Sequence, residues 1–334
     1  LPSWRPDSTT EIDVVEEVAR HLGYESVGKT VPRSTVHGGL SVHQQRRRRL
    51  REVLLGLGIT EAMPNPFLAP DTLAKAGLDG PTIRITNPLV DDESVLRTSL
   101  RPGLLRAVAF NESHRRRGVQ LFEIGHVYPP GDRSTELPPE YDGLSVAIAG
   151  GDARDAMALW REIAKAMGFG ARVDQGTVPA GLHPTRSATL SLGKDVVGAV
   201  GEVHPDVCDA FGVDERVAWL ELDLSRLLAV APKIAQWKPT SRFPSTDLDL
   251  AFVVPDQVAA EKVDKAIRQA AVGLLVDLTL FDVYRGRGVD EGARSLAYRL
   301  RLQAPDRTLT DAEVTQVKDK VVAGLAKLRA VLRS

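Results

Sequence analysis

The chain has 334 residues, 43 Lys and Arg against 44 Asp and Glu, a formal net charge of -1 and 43% hydrophobic residues. That composition excludes a collagenous, disordered or uniformly basic nucleic-acid-coating protein, and one cysteine, Cys208, excludes an internal disulfide framework. At roughly 100–200 residues per domain, the length predicts two domains or three.

Residues 1–39 form a first segment. The opening Leu1-Pro2-Ser3-Trp4-Arg5-Pro6 has neither a signal-peptide pattern nor an initiator Met, and reads as the interior of a longer chain. Ile12, Val15, Val18, Ala19 and Leu22 recur at three and four, predicting a helix, and Thr10 with Asp13 resembles a capping box. Gly23 marks its end, and residues 28–39 read as a linker.

The second segment, 40–232, opens with a predicted helix over 42–57 that carries Arg46, Arg47, Arg48, Arg49 and Arg51. Strands are predicted at 82–85, 119–124 and 144–149, with a helix over 102–113 whose Pro102 suits a first turn. A helix over 153–167 follows, then strands at 188–192, 196–203 and 217–222. Runs of strands with helices interspersed irregularly predict an α+β fold on an antiparallel sheet.

The third segment, 240–334, has a cleaner pattern. A strand at 249–254, a helix at 259–271, strands at 276–284 and 295–303, a helix over 310–329 and a short final strand in 330–333 give βαββαβ, the ferredoxin-like order. Thr310 and Glu313 form a capping box for the last helix. No run of about 18 apolar residues predicts a membrane helix, and the lone cysteine suits a cytoplasmic protein.

Three groups of residues carry chemistry. Asp13, Glu16 and Glu17 share one helix face, with Asp7 in the loop before it; oxygen-only ligands suit a hard cation such as Mg²⁺, while acids in a first turn also simply complement the helix dipole. The arginine runs 46–49 and 115–117 suit RNA phosphate, a solvated face or an acidic partner surface, and four consecutive arginines point around most of a helix. His183-Pro184, His204-Pro205 and Cys208 are too few and too scattered for a metal site and read as structural. Phosphate-loop, dinucleotide-binding and nucleophile-elbow motifs are all missing. On the open face of the ferredoxin-like sheet, Phe281 or Tyr284, with Tyr298 and Arg299, would stack and bind RNA.

With these residues in hand, the chain resembles the C-terminal half of the bacterial phenylalanyl-tRNA synthetase β-subunit family along essentially its whole length. The resemblance rests on Arg5-Pro6-Asp7 with Glu11-Ile12-Asp13-Val14-Val15-Glu16-Glu17, on Val95-Leu96-Arg97-Thr98-Ser99-Leu100-Arg101-Pro102-Gly103, on Leu121-Phe122-Glu123-Ile124-Gly125, on Leu182-His183-Pro184, and on Gly201-Glu202-Val203-His204-Pro205. In the last segment it rests on Phe281-Asp282-Val283-Tyr284-Arg285-Gly286 and Asp306-Arg307-Thr308-Leu309-Thr310-Asp311.

The resemblance implies three parts: a remnant of a preceding domain at 1–39, a class II synthetase catalytic-like module without catalysis at 40–232, and a ferredoxin-fold anticodon-binding domain at 240–334. It implies an α subunit holding the synthetic site, a heterotetramer of two α and two β subunits, and tRNA-Phe as partner. ATP would be used by the whole enzyme and not bound by this chain. One Mg²⁺ per subunit, shared with the α subunit, would fall on Asp7, Asp13, Glu16 and Glu17. The tRNA contact would fall on the last sheet, at Tyr298, Arg299 and Arg301. Leu248-Asp249 stands where the family often has Arg-Asp, so the resemblance does not carry that arginine contact over. The alternative reading is a stand-alone tRNA-binding or structural module without a ligase partner.

Overall fold

Strong local signals place most elements. The computed structural model describes residues 2–31, 38–131, 137–230, 237 and 240–333. The centre of the expected linker, 32–37, and most of the expected junction, 231–236 with 238–239, lie outside the described residues. Two compact units emerge, 1–235 and 236–334.

The first unit contains α1 (Glu11–Leu22), α2 (Val42–Gly56), β1 (Thr60–Glu61), β2 (Phe67–Leu68), α3 (Thr72–Lys75), β3 (Val95–Leu96), α4 (Arg101–Ser113), β4 (Gln120–Val127), β5 (Tyr141–Ala149), α5 (Ala153–Met167), β6 (Arg172–Asp174), β7 (Leu182–Leu192), β8 (Asp195–Val203), α6 (Pro205–Phe211), β9 (Val217–Asp223) and α7 (Leu224–Ala229). The large sheet runs β1-β4-β5-β9-β8-β7-β6, antiparallel at each pairing except β1 with β4.

Strand pleating sorts its side chains onto two faces. Phe122, Ile124, Leu144, Val146, Leu220 and Leu222 meet Leu159, Trp160 and Ile163 of α5 and Leu50 and Leu54 of α2. On the other face Leu121, Ala147 and Trp219 meet Leu104, Leu105 and Val108 of α4. Helix α5 shows why its position is fixed. Asp152 caps it by accepting from the Arg154 N–H, Gly168 ends it at φ 70, and Ala156, Leu159, Trp160, Ile163 and Met167 form one buried stripe.

Residues 82–85 make only a single bridge, Arg84 with Val95, instead of the expected strand. Pro81 and the Asn87-Pro88 turn bracket a segment too short to build a ladder. Helices α6 and α7 were not expected, because six or seven residues hold too little of a helical period to read. Helix α1 forms as expected, but it buries no residue: Ile12, Val15 and Val18 are exposed.

The second unit has β10 (Thr246–Pro255), α8 (Ala260–Ala270), β11 (Leu275–Tyr284), β12 (Ala293–Leu302), α9 (Asp311–Ala326) and β13 (Val331–Leu332), with sheet order β11-β12-β10-β13. This is the expected ferredoxin-like arrangement. Phe252, Tyr298, Leu300 and Leu302 pack under Val263 and Ile267 of α8 and Val317 and Val321 of α9. Among the described residues no helix is long and apolar enough to cross a membrane.

Candidate functional site

The acidic group of α1 is organised by arginine. Arg5 Nη2 lies 2.8 Å from Asp7 and 2.6 Å from Glu17, and Arg20 Nη2 lies 2.6 Å from the other Glu17 oxygen. Hydrogen bonds from Arg5 and Arg20 hold the Glu17 carboxyl down at about 2, and Arg5 lowers Asp7. Asp13 is lowered chiefly by the Thr10 backbone N–H, which donates at 2.6 Å, and it also accepts from the Thr9 N–H and the Thr10 hydroxyl. Glu16 is exposed.

As placed, Asp7 and Glu17 are bonded to arginine and Asp13 to the helix N-terminus, while Glu16 is exposed. A guanidinium already sits between two of them and a third caps the helix. Among the described residues no group of three His, Cys, Asp or Glu side chains could hold a metal. Spacing placed the acids on one face, but it gave no warning that Arg5 would fold back among them.

On the ferredoxin-like unit, strand period decides which expected RNA contacts are available. Tyr298 is fully buried, facing the helices, so it is not an open-face residue. Burial, with Asp264 beside it, raises its phenol pKa. Arg299 and Arg301, one and three positions on, emerge on the opposite, exposed face. Both are paired across the sheet: Arg299 donates to the two Asp249 oxygens at 2.8 and 2.7 Å, and Arg301 to those of Asp247 at 2.8 and 3.0 Å. The register sets this, with Asp249 opposite Arg299 and Asp247 opposite Arg301. The Arg299 guanidinium also lies 5.5 Å from the Phe281 ring centre. This exposed face offers aromatic surface and two arginines, each already committed to a carboxylate.

The arginine runs divide in the same way. Arg46 donates to the carbonyls of Leu228 and Val230, Arg47 to Ile124, and Arg51 bonds Glu61 at 2.9 Å. Arg48 and Arg49 are exposed beside Glu52 at 3.6 and 3.9 Å. The 46–51 run is mainly a set of structural ties. Cys208 is buried, which pushes its thiol up to about 11, and His204 caps α6 by accepting from the Asp206 N–H. Both fit the structural reading.

The run 115–117 is different. Helix α4 ends in a Schellman motif, with the Arg116 N–H bonded to Asn111 O at 2.9 Å and the Arg115 N–H to Glu112 O at 2.8 Å. The left-handed position, usually glycine, is Arg115 at φ 62, at a cost of about 1 kcal/mol. Phe110 and His114 lie one turn apart with ring centres 4.4 Å apart, and Phe110 is 64% exposed. Sequence reasoning missed the ring pair at i, i+4, which was legible in the spacing.

Beneath α4, the sheet carries a buried polar set that sequence reading also missed. Arg97 pairs with Glu123 at 2.5 Å and donates to His126 O at 2.9 Å, with both side chains nearly sequestered. Burial outweighs Arg97 and raises the Glu123 carboxyl to about 6. Arg101 is fully buried and donates to Ala76 O, Ala180 O and Glu221 at 3.1, 2.7 and 3.1 Å. It also covers the Trp219 ring at 5.5 Å, and the Trp219 indole N–H donates to Glu221 at 2.9 Å.

Comparison with known proteins accounts for this layout. Residues 27–224 match the family model described as the phenylalanyl tRNA synthetase beta chain CLM domain. The chain belongs to the phenylalanyl-tRNA synthetase beta chain family. Residues 241–333 match the ferredoxin-fold anticodon binding domain, in agreement with the topology of the second unit.

Among relatives, the phenylalanine–tRNA ligase beta subunit of Geobacter metallireducens is 35% identical over 351 residues, covering 99% of this chain and 44% of that protein. The beta subunit of Syntrophotalea carbinolica is 36% identical over 357 residues, covering 100% and 44%. The chain thus spans less than half the length of these relatives. The pyrrolysyl-tRNA synthetase of Desulfitobacterium hafniense aligns at a TM-score of 0.44 and 17% identity over 65% of this chain and 76% of that one. Arg97 and Arg101 both lie within the matched span 27–224.

Proposed function

We infer that the chain is part of the non-catalytic β subunit of a cytoplasmic phenylalanine–tRNA ligase. In this reading the first unit is a class II synthetase-like module that supports an α subunit carrying the synthetic site, and the ferredoxin-like unit binds tRNA-Phe. The whole enzyme, two α and two β subunits, would join phenylalanine to tRNA-Phe with ATP, and ATP would not be bound here.

The observation that carries the reading is the order of the two family matches, 27–224 then 241–333, over nearly all of the chain. The filled sheet face supports it. Arg97 is paired with Glu123 and Arg101 with Glu221 beneath α4, so these motif arginines are engaged inside the fold. One Mg²⁺ shared with the α subunit would have to displace Arg5 from Asp7 and Glu17, so the residues as they stand do not fit it. Co-expression with an α subunit tests the reading. Co-elution of the two supports it; separate elution, with tRNA-Phe still bound by this chain, favours the stand-alone module.

A further inference from the structure

The carbonyl end of α4 carries a surface that the anticodon-domain assignment does not use. Phe110, His114 and Arg115 to Arg117 form one exposed aromatic and cationic patch. The His114 ring is held in place: its Nδ1 donates to Phe110 O at 2.8 Å, and the ring lies 4.4 Å from that of Phe110.

Among the described residues, the Arg115 and Arg116 side chains have no hydrogen-bond or ion-pair partner, and Arg117 meets only Asp214 at 3.7 Å, with both side chains largely exposed. The nearby acids are engaged with backbone. Glu112 accepts from the Asp214 and Glu215 N–H groups, and Glu215 from the Gly118 N–H. This contrasts with the open sheet face of the other unit, where Arg299 and Arg301 are each gripped by a carboxylate. Arg115 occupies a left-handed position where glycine is preferred, a backbone cost that the favourable interaction of a cation with the carbonyl end of α4 offsets only in part.

We propose that Phe110, His114 and Arg115–Arg117 form a second RNA contact, in which the arginines neutralise backbone phosphates and the exposed ring pair stacks on an unpaired base. Free guanidiniums beside a ring are the chemistry that tracks a nucleic-acid strand without reading its sequence. Consecutive arginines with few carboxylate partners of their own call for a polyanionic counterpart, which a phosphate backbone supplies. The proposal rests on the reading of the chain as a tRNA binder.

The test is fluorescence anisotropy of the 334-residue chain with tRNA-Phe over a range of KCl concentrations, with a parallel melt of each variant. Arg115→Gly is expected to melt higher yet bind more weakly, with the slope of log K against log salt shallower by roughly 0.7–0.9. Arg115→Gly with Arg116→Ala and Arg117→Ala should flatten it by roughly 2. Phe110→Ala should weaken binding by about fivefold or more at unchanged slope. Unchanged affinity and slope in all three, with the parent chain binding, overturns the patch alone. Loss of a co-purifying protein with tRNA affinity intact also overturns it, making the surface a protein contact. A parent chain that binds no tRNA-Phe overturns the patch together with the tRNA-binding reading.

Discussion

Arg101→Ala is the sharpest test of the way the first unit is held together. The side chain is fully buried and joins three separate segments, through Ala76 O, Ala180 O and Glu221, while covering Trp219. Removing one member of a buried charge pair costs roughly 3–5 kcal/mol. Here Glu221 keeps 29% of its side-chain exposure and the Trp219 N–H, which discounts its share. The two carbonyls lose a charged donor, each worth about 1–3 kcal/mol where water cannot replace it. A loss of about 3–4 kcal/mol follows.

The unfolding signal is convenient. Trp160 and Trp219 are buried in this unit, whereas Trp4 and Trp237 are 77% and 84% exposed, so tryptophan fluorescence reports the 1–235 unit. With a urea slope of about 3 kcal/mol/M, the midpoint should fall by about 1 M. Arg299→Ala, the exposed counterpart, should cost less than about 1 kcal/mol in its own unit. If Arg101→Ala costs no more than an exposed arginine does, the three-way tie through Arg101 is not what holds the segments.

Other expectations follow from the same geometry. The Glu123 carboxyl titrates near 6 in the fold against an ordinary value of 4.5, so it binds a proton more tightly when folded. Its contribution is greatest below about 4.5 and is lost as pH rises through 6, so the stability gap between the parent and Glu123→Gln should shift by about 2 kcal/mol across that window; a pH-independent gap would contradict it. Tyr298→Ala should destabilise the ferredoxin-like unit by about 3–5 kcal/mol, while Tyr298→Phe stays within about 1 kcal/mol because the buried hydroxyl lacks a well-formed hydrogen bond. Adding MgCl₂ to the chain alone should give no saturable heat in calorimetry, because Arg5 already neutralises Asp7 and Glu17; tight binding would restore the four-carboxylate cage.

The fold was largely legible where period and punctuation agree. The ferredoxin-like unit is the clearest case: alternation in β12 and the Thr310 and Glu313 cap sit where the sequence put them. The sites were legible only in part, for a physical reason. Spacing says which residues share a face, but not what lies across from them. Asp247 and Asp249 are some fifty residues from their arginines, and only strand register brings them together. Tyr298 is a different case: strand alternation already bars it from sharing the open face with its neighbour Arg299, and burial shows that Tyr298 is the one under the helices. Arg97 and Arg101 stood inside a recognised motif, yet their burial depends on β4, β9 and the 76 and 180 loops, which no local pattern links.

The opening balance of 43 cations against 44 acids takes on a local meaning from these pairs. Many arginines are spent on carboxylates and carbonyls inside the fold, and Arg115 and Arg116 are among those that, within the described residues, have no such partner and are available to phosphate.

In the proposed function this chain supports aminoacylation without performing its chemistry. Phenylalanine-dependent ATP–pyrophosphate exchange by the purified chain, run beside the same chain co-expressed with an α subunit, tests it most directly. The account predicts exchange at the blank level for the chain alone; exchange above the blank, abolished by substitution at Arg97 or Glu123, would contradict it.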